Sequence, residues 1–309
     1  MRLPTFEYRQ WYQKELNTFE EIEKILLKKE ISNSDICYRG MADYNFVGIS
    51  TFYRYYLQQN TQLKWEDTNV GHNTIIPLPV IDDSEYSSQS LEILDVFYQN
   101  LLSLGSKKLS LNTIAYLAQH YGLPTNLIDF SADPKVALYF ACQEFPEQDC
   151  IVYEYDIYKF VKNMYSFFKS GGHRSFVSKP DGSVMTNEEV AILMKDKMTV
   201  IDREVAISTP ILKLDEIVFS QRILNQKGTF VYINEPTLLD QIMYTSSSDT
   251  YEYGRKLYKI PAKFKAEILS YLKIQGIDFD FLYPKTDGDS NLSTITAAVD
   301  KTKKMLSIP

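Results

Sequence analysis

Apolar residues recur at helical spacing in several stretches and crowd into short extended runs in others, and the alternation between the two sets the expected architecture. In "KELNTFEEIEKILLKKE", Ile22, Ile25 and Leu26 form one inward stripe, which predicts an amphipathic helix. "DICYRG" then changes to the pattern of a short strand, with Tyr38, Arg39 and Gly40 near its end. Helices are predicted in "SLEILDVFYQNLLSLG" and "LNTIAYLAQHYG", the second stopped by Gly122 and Pro124. "NLIDF" predicts an extended segment ending near Asp129. "SADPKVALYFACQEF" carries a clear helix start, with Asp133 as cap and Pro134 in the first turn, where its missing N–H costs little. Strands are expected in "CIVYEYDI", "EVAISTPIL" and "GTFVYINE", and a packed helix in "PAKFKAEILSYLKIQG".

The stretch from Thr61 to Tyr86 is polar and rich in turn formers, and it predicts a surface excursion rather than a core helix. Residues 160–200, with "KSGGHRSF" and "SKPDGS", predict loops. Short strands interspersed with helices give an α+β fold of mixed helices and short strands. No solenoid-length repeat or clean linker interrupts it. The expected organisation is an N-terminal helical attachment over 1–30, one elaborated α+β domain over 31–290 with variable insertions, and a C-terminal tail over 291–309.

Composition sharpens this picture. With 44% hydrophobic residues, 23 tyrosines and 17 phenylalanines in 309 residues, the chain has the apolar surface of a folded protein. A formal charge of -7 disfavours sequence-independent binding to nucleic acid, leaving Lys159 to Arg174 as the one basic stretch, which also fits a solvated helix face. Three dispersed cysteines do not form an extracellular disulfide framework. The polar N-terminus and the lack of a run of roughly 20 apolar residues predict a cytoplasmic protein with no membrane partner.

The candidate chemistry is sparse. Zinc-ligand spacing, a lysine-bearing phosphate loop, a dinucleotide-binding glycine fingerprint and a serine nucleophile elbow are all missing from the sequence, so no metal is expected. Arg39 suits a two-point clamp on phosphate or carboxylate, and equally an internal salt bridge or backbone brace. His120 suits ligand donation or proton movement, and equally a hydrogen bond closing its helix. Asp129 is placed to fix a histidine or an arginine. Arg222 and Gln226 precede a strand in "QRILNQKGTFVYIN", where they fit either ligand contacts or bracing, and Gly228 suits a tight approach into that strand.

Taken together, "CYRG", "HYGLPTNLIDF...PKVALYFA" and "RILNQKGTF" resemble the FRG domain family, named for a phenylalanine-arginine-glycine type motif, with Tyr38 in the aromatic place. The distal "KIPAKFKAEILSYLKIQGIDFDFLYP" is similar to the family's C-terminal helix and aromatic-proline segment, so the resemblance spans roughly residues 30 to 290. His120, Tyr121, Gly122 and Asp129 match the middle motif directly. Asn126 and Phe130 depart from it, standing where the family commonly has an arginine and a tryptophan.

The aromatic-arginine-glycine strand is also similar to one with which some ADP-ribosyltransferases hold NAD. That likeness implies NAD as a candidate cofactor, with Arg39 as its clamp, Tyr38, Tyr121 and Gln226 as neighbouring contacts, and His120 orienting a ribose. Gly40, Gly122, Asp129, Arg222 and Gly228 would support the site. Glu204, just ahead of "VAIST", is one candidate for catalysis beside His120, outside the matched motifs, and an exposed strand-edge glutamate fits the same position. The competing implication is a recognition module in bacterial stress or antiviral defence, binding a nucleotide-related small molecule or a protein without turnover.

Overall fold

In the computed structural model, the described residues are 13–29, 36–69, 75–156, 220–233, 235–239, 255–284 and 292–309, with isolated positions between 179 and 192. Strand β1 (Gln13–Glu15) leads into α1 (Phe19–Ile22), which continues into a π-wound turn (Glu23–Leu27). Next come β2 (Ile36–Met41), α2 (Thr51–Gln59), the strands β3 (Trp65–Asn69) and β4 (Ile75–Pro79), α3 (Asp83–Ser103) and α4 (Leu111–His120). These are followed by β5 (Leu127–Ser131), α5 (Pro134–Cys142) and β6 (Cys150–Asp156). After the undescribed stretch come α6 (Gln221–Asn225), β7 (Gly228–Tyr232), β8 (Arg255–Ile260), α7 (Lys265–Ile274), α8 (Phe279–Leu282) and α9 (Leu292–Leu306).

Side chains that satisfy orphan backbone N–H groups open many of these helices. Thr18 and Glu21 form a reciprocal capping box at α1. Ser50, Asp82, Ser110, Asp133, Ser220 and Asp278 cap α2, α3, α4, α5, α6 and α8 in turn. At the other end of α4, Gly122 takes a φ of +84°, which leaves the helix without the steric penalty a side chain would carry. The surface excursion expected over 61–86 resolves into the β3–β4 hairpin and, from Asp83, the first turns of α3. Its prolines and polar residues hid a strand pair that lies outside the main sheet. The strand expected in "EVAISTPIL" lies outside the described residues.

Six strands form one sheet in the order β1-β8-β6-β2-β5-β7. Only β1 and β8 run parallel. Side chains alternate between its two faces, as a period of two requires. Cys37, Ile151, Tyr153 and Leu257 join a core with α2, α3, α4 and α9. Tyr38, Val152, Tyr258 and Ile260 join a second core with α1, α5 and α7. The central sheet is therefore covered by helices on both faces, an α+β architecture of mixed helices and short strands. Among the described residues, no helix is long and apolar enough to cross a membrane.

Two local features shape the middle of the sheet. Helix α5 lies so close to β2 that a Cβ on Gly40 would come 1.8 Å from the Ala137 carbonyl oxygen, so the glycine serves helix-on-strand contact. Strands β2 and β5 share a single paired position, Tyr38 with Ser131. Ser131 is the last residue of β5, and towards its start the backbone ladder to β2 is missing, where the Arg39 side chain bridges to the Asp129 carbonyl instead.

Candidate functional site

Along the parting of β2 and β5 lies a cavity of about 1130 Å³, slightly above the roughly 300–1,000 Å³ usual for small-molecule sites. Its wall joins residues far apart in sequence. Arg39, Arg54, His120, Asp129, Arg222 and Gln226 all contribute, with Tyr116, Phe140, Phe230 and Tyr283 as aromatic surface.

Arg39 sits one residue beyond the last β2–β5 pair, and its Nη1 donates to the Asp129 carbonyl oxygen at 2.5 Å. It replaces a ladder hydrogen bond that the diverging strands cannot make. Its Nε is buried and has no hydrogen-bond partner among the described residues. Burial draws the guanidinium below its ordinary proton affinity, the Asp129 carboxylate opposes that effect, and the nearby Arg54 adds to it. An arginine nevertheless stays protonated at any physiological pH. Of the two roles left open by sequence, the backbone brace is realised. The brace leaves the rest of the guanidinium fork on the cavity wall.

His120 ends α4 and lies against Tyr116 and Tyr121, with ring centroids 5.4 and 5.0 Å away. The Asp129 side chain, on β5, is exposed to the cavity and receives Gln119 Nε2 at 3.5 and 3.3 Å from its two oxygens. The Arg222 guanidinium lies 4.8 Å from the Tyr283 ring centroid, a cation–π arrangement. Gln226 also reaches the wall, but its Nε2 donates to the Leu282 carbonyl at 3.1 Å and its own carbonyl accepts from Ser131. Its amide therefore already braces α8 against the sheet.

Not every candidate converges. Tyr38 touches the cavity but is only 3% exposed, packed in the second core beneath the Lys29 ammonium. Burial, with Glu154 nearby, pushes its phenol well above the usual range. Tyr121 packs against the first core, and neither it nor Gly122 or Gly228 lines the cavity. Gly228 meets Ile223, whose side chain would lie 2.9 Å from an added Cβ, in keeping with the tight approach expected there. Glu204 lies outside the described residues. Asn126, in the arginine place of the motif, is fully buried away from the cavity. Its Oδ1 accepts from Ser50 and Tyr86 while its amide donates to Ser90, so it serves as a polar joint between α2, α3 and β5.

Arg54 and Gln119 were missed by sequence reasoning. Both stand on polar helix faces that look solvated until the fold turns them toward Arg39 and Asp129. The only advance signal is that Gln119 directly precedes His120 in the matched motif. Asp43 and Glu144 also line the cavity, in two loops tied together by Lys265. This buried ammonium donates to the carbonyls of Ala42, Glu144 and Phe145 at 2.6, 2.9 and 2.7 Å.

The fold and the wall together describe a helix-covered sheet with an arginine-bearing cleft at a break between central strands. Residues 34–150 match the family model described as FRG domain, and the chain contains an FRG domain. The match takes in "CYRG" and the His120 to Asp129 motif and ends before "RILNQKGTF". No curated protein and no solved structure matches the chain.

Proposed function

We propose that the cavity binds a phosphate-bearing nucleotide, with NAD the first to test and transfer of its ADP-ribose unit as the associated reaction. The observation carrying this reading is that Arg39 and Arg54 face one cavity, near enough for the Arg54 charge to disfavour that of Arg39. An anionic ligand would relieve that repulsion, and the planar arginine fork suits phosphate oxygens. Arg222 extends the cationic wall, while Tyr116, Phe140 and Phe230 offer apolar surface for a base or a nicotinamide ring. In the transfer reaction, the bond between nicotinamide and ribose breaks, nicotinamide leaves, and an acceptor nucleophile takes the ribose carbon as it loses its proton.

Calorimetric titration with NAD, combined with mass analysis of the products, tests the reading. Arg54 is exposed on α2 and braces no backbone carbonyl among the described residues, so Arg54→Ala isolates the ligand contact better than a change at Arg39. Loss of one charge-assisted contact should weaken NAD binding about tenfold with an unchanged unfolding midpoint. Release of nicotinamide would assign an enzyme, and binding without release a recognition module. Failure of the intact protein to bind NAD or ADP-ribose would overturn the nucleotide reading.

A further inference from the structure

Gln119 is held in one orientation by a chain of hydrogen bonds that ends on the carboxylate facing the cavity. The Thr125 hydroxyl accepts from the Leu127 N–H at 3.2 Å, so its proton is free to go to Gln119 Oε1, 2.7 Å away. The Thr51 hydroxyl accepts from the Thr125 N–H at 2.9 Å and lies 2.8 Å from the same oxygen. With the Thr125 hydroxyl donating to its oxygen, and the single Thr51 proton divided between that oxygen and the Thr125 carbonyl at 3.1 Å, the amide presents its NH₂ to the other side. There it meets both oxygens of Asp129.

Asp129 is thus held twice. Arg39 grips its carbonyl and Gln119 its carboxylate, while the side chain stays exposed on the cavity wall. Among the described residues, one long, shared N–H is the only hydrogen bond to the carboxylate, so most of its acceptor positions face the cavity. Two oxygens at a fixed orientation with free lone pairs match a pair of neighbouring hydroxyl donors.

We infer that Asp129, positioned by Gln119, Thr51 and Thr125, receives the vicinal hydroxyls of a ribose, so that the cavity selects ribonucleotides over other phosphate ligands. The inference rests on the nucleotide reading and deepens it, moving the ribose contact from His120 to Asp129. Gln119 acts through Asp129 and is a positioning residue.

Calorimetry with ADP-ribose and with inorganic pyrophosphate separates the two ideas, because pyrophosphate keeps the anion and lacks the hydroxyls. Gln119→Met removes the orienting N–H at similar volume, and Asp129→Asn replaces the acceptor by an amide. Thermal unfolding of both variants reports whether the fold is kept. Each should weaken ADP-ribose about tenfold, while pyrophosphate affinity stays unchanged in Gln119→Met and does not fall in Asp129→Asn, which removes a negative charge beside Arg39. Equal weakening of both ligands, or no change in ADP-ribose affinity in a folded variant, would overturn the ribose assignment and leave the anion site standing. Failure of ADP-ribose to bind the unaltered protein would overturn the inference and the nucleotide reading together. If one variant does not fold, the other decides.

Discussion

Single residues here often serve a structural need before any chemical one. Gly40 is the clearest case. An added methyl group would run into the backbone of α5 at Ala137 and Ala141, which cannot move aside as a flexible side chain could. Gly40→Ala should therefore destabilise the protein by about 1–3 kcal/mol or more, read from urea unfolding. Asp133 has two partners, the Lys135 N–H at 2.9 Å and the Lys227 ammonium at 2.7 Å. Lys227 is about half exposed, so its ion pair contributes little, and the cap dominates. Asp133→Ala should cost about 0.5–2 kcal/mol, whereas Asp133→Asn, which keeps a capping oxygen, should cost clearly less. Equal losses for the two would place the stabilisation in the ion pair.

Between elements, the buried carboxylate of Glu154 joins three of them. It accepts from Lys29 beyond the π-wound turn, Lys256 on β8 and Tyr258 on β8, at 2.8, 2.8 and 3.1 Å. Burial alone would raise its pKa, but the two ammonium groups outweigh burial and leave it below the ordinary value. A depressed folded-state pKa contributes stability above the unfolded value, roughly 4.3 for glutamate, and that stability is lost as pH falls through the folded value. Glu154→Gln should flatten the acid limb of a stability-against-pH curve. An unchanged acid limb would assign the slope to other carboxylates.

Across the whole molecule, the cavity depends on contacts that span most of the chain. Lys265, at the start of α7, ties the loop after β2 to the loop after α5 through three carbonyls, and both loops supply cavity wall. Lys265→Met keeps the stem but takes the ammonium from all three carbonyls; Phe145 keeps the Gln148 N–H at 3.0 Å, and each of the other two left unsatisfied costs about 1–3 kcal/mol. The expected result is a lowered unfolding midpoint together with faster hydrogen exchange at the amides of residues 43–46 and 143–148. A stability loss without faster exchange there would mean that the two loops hold their places by packing. Helix α9 is tied in similarly, with Thr302 accepting from Asn100 of α3 at 2.9 Å and Ile295, Ala298 and Val299 in the first core.

Local chemistry made much of this fold legible from sequence. The period-two runs of β2, β5, β6 and β7, the helical stripes of α4, α5 and α7, the Asp133 cap and the Gly122 exit are all decided by neighbours a few residues apart. The motif around His120 and Asp129 was legible for the same reason. Strand β8 was not, because Lys256 and Lys259 make it look polar until Glu154, Glu15 and Asp149 supply partners. A backbone brace by Arg39 was one of the roles left open, but its partner, the Asp129 carbonyl 90 positions away, was not legible. Sequence alone determined many of the segments that become helices and strands, though not β3, β4 or β8, and which polar residues were worth watching. Tertiary structure decided that β2 and β5 part after one pair, that Arg54 and Gln119 turn toward the opening, and that Asn126 is spent inside the core. Those outcomes depend on which distant surfaces pack together, and no local pattern of residues encodes that.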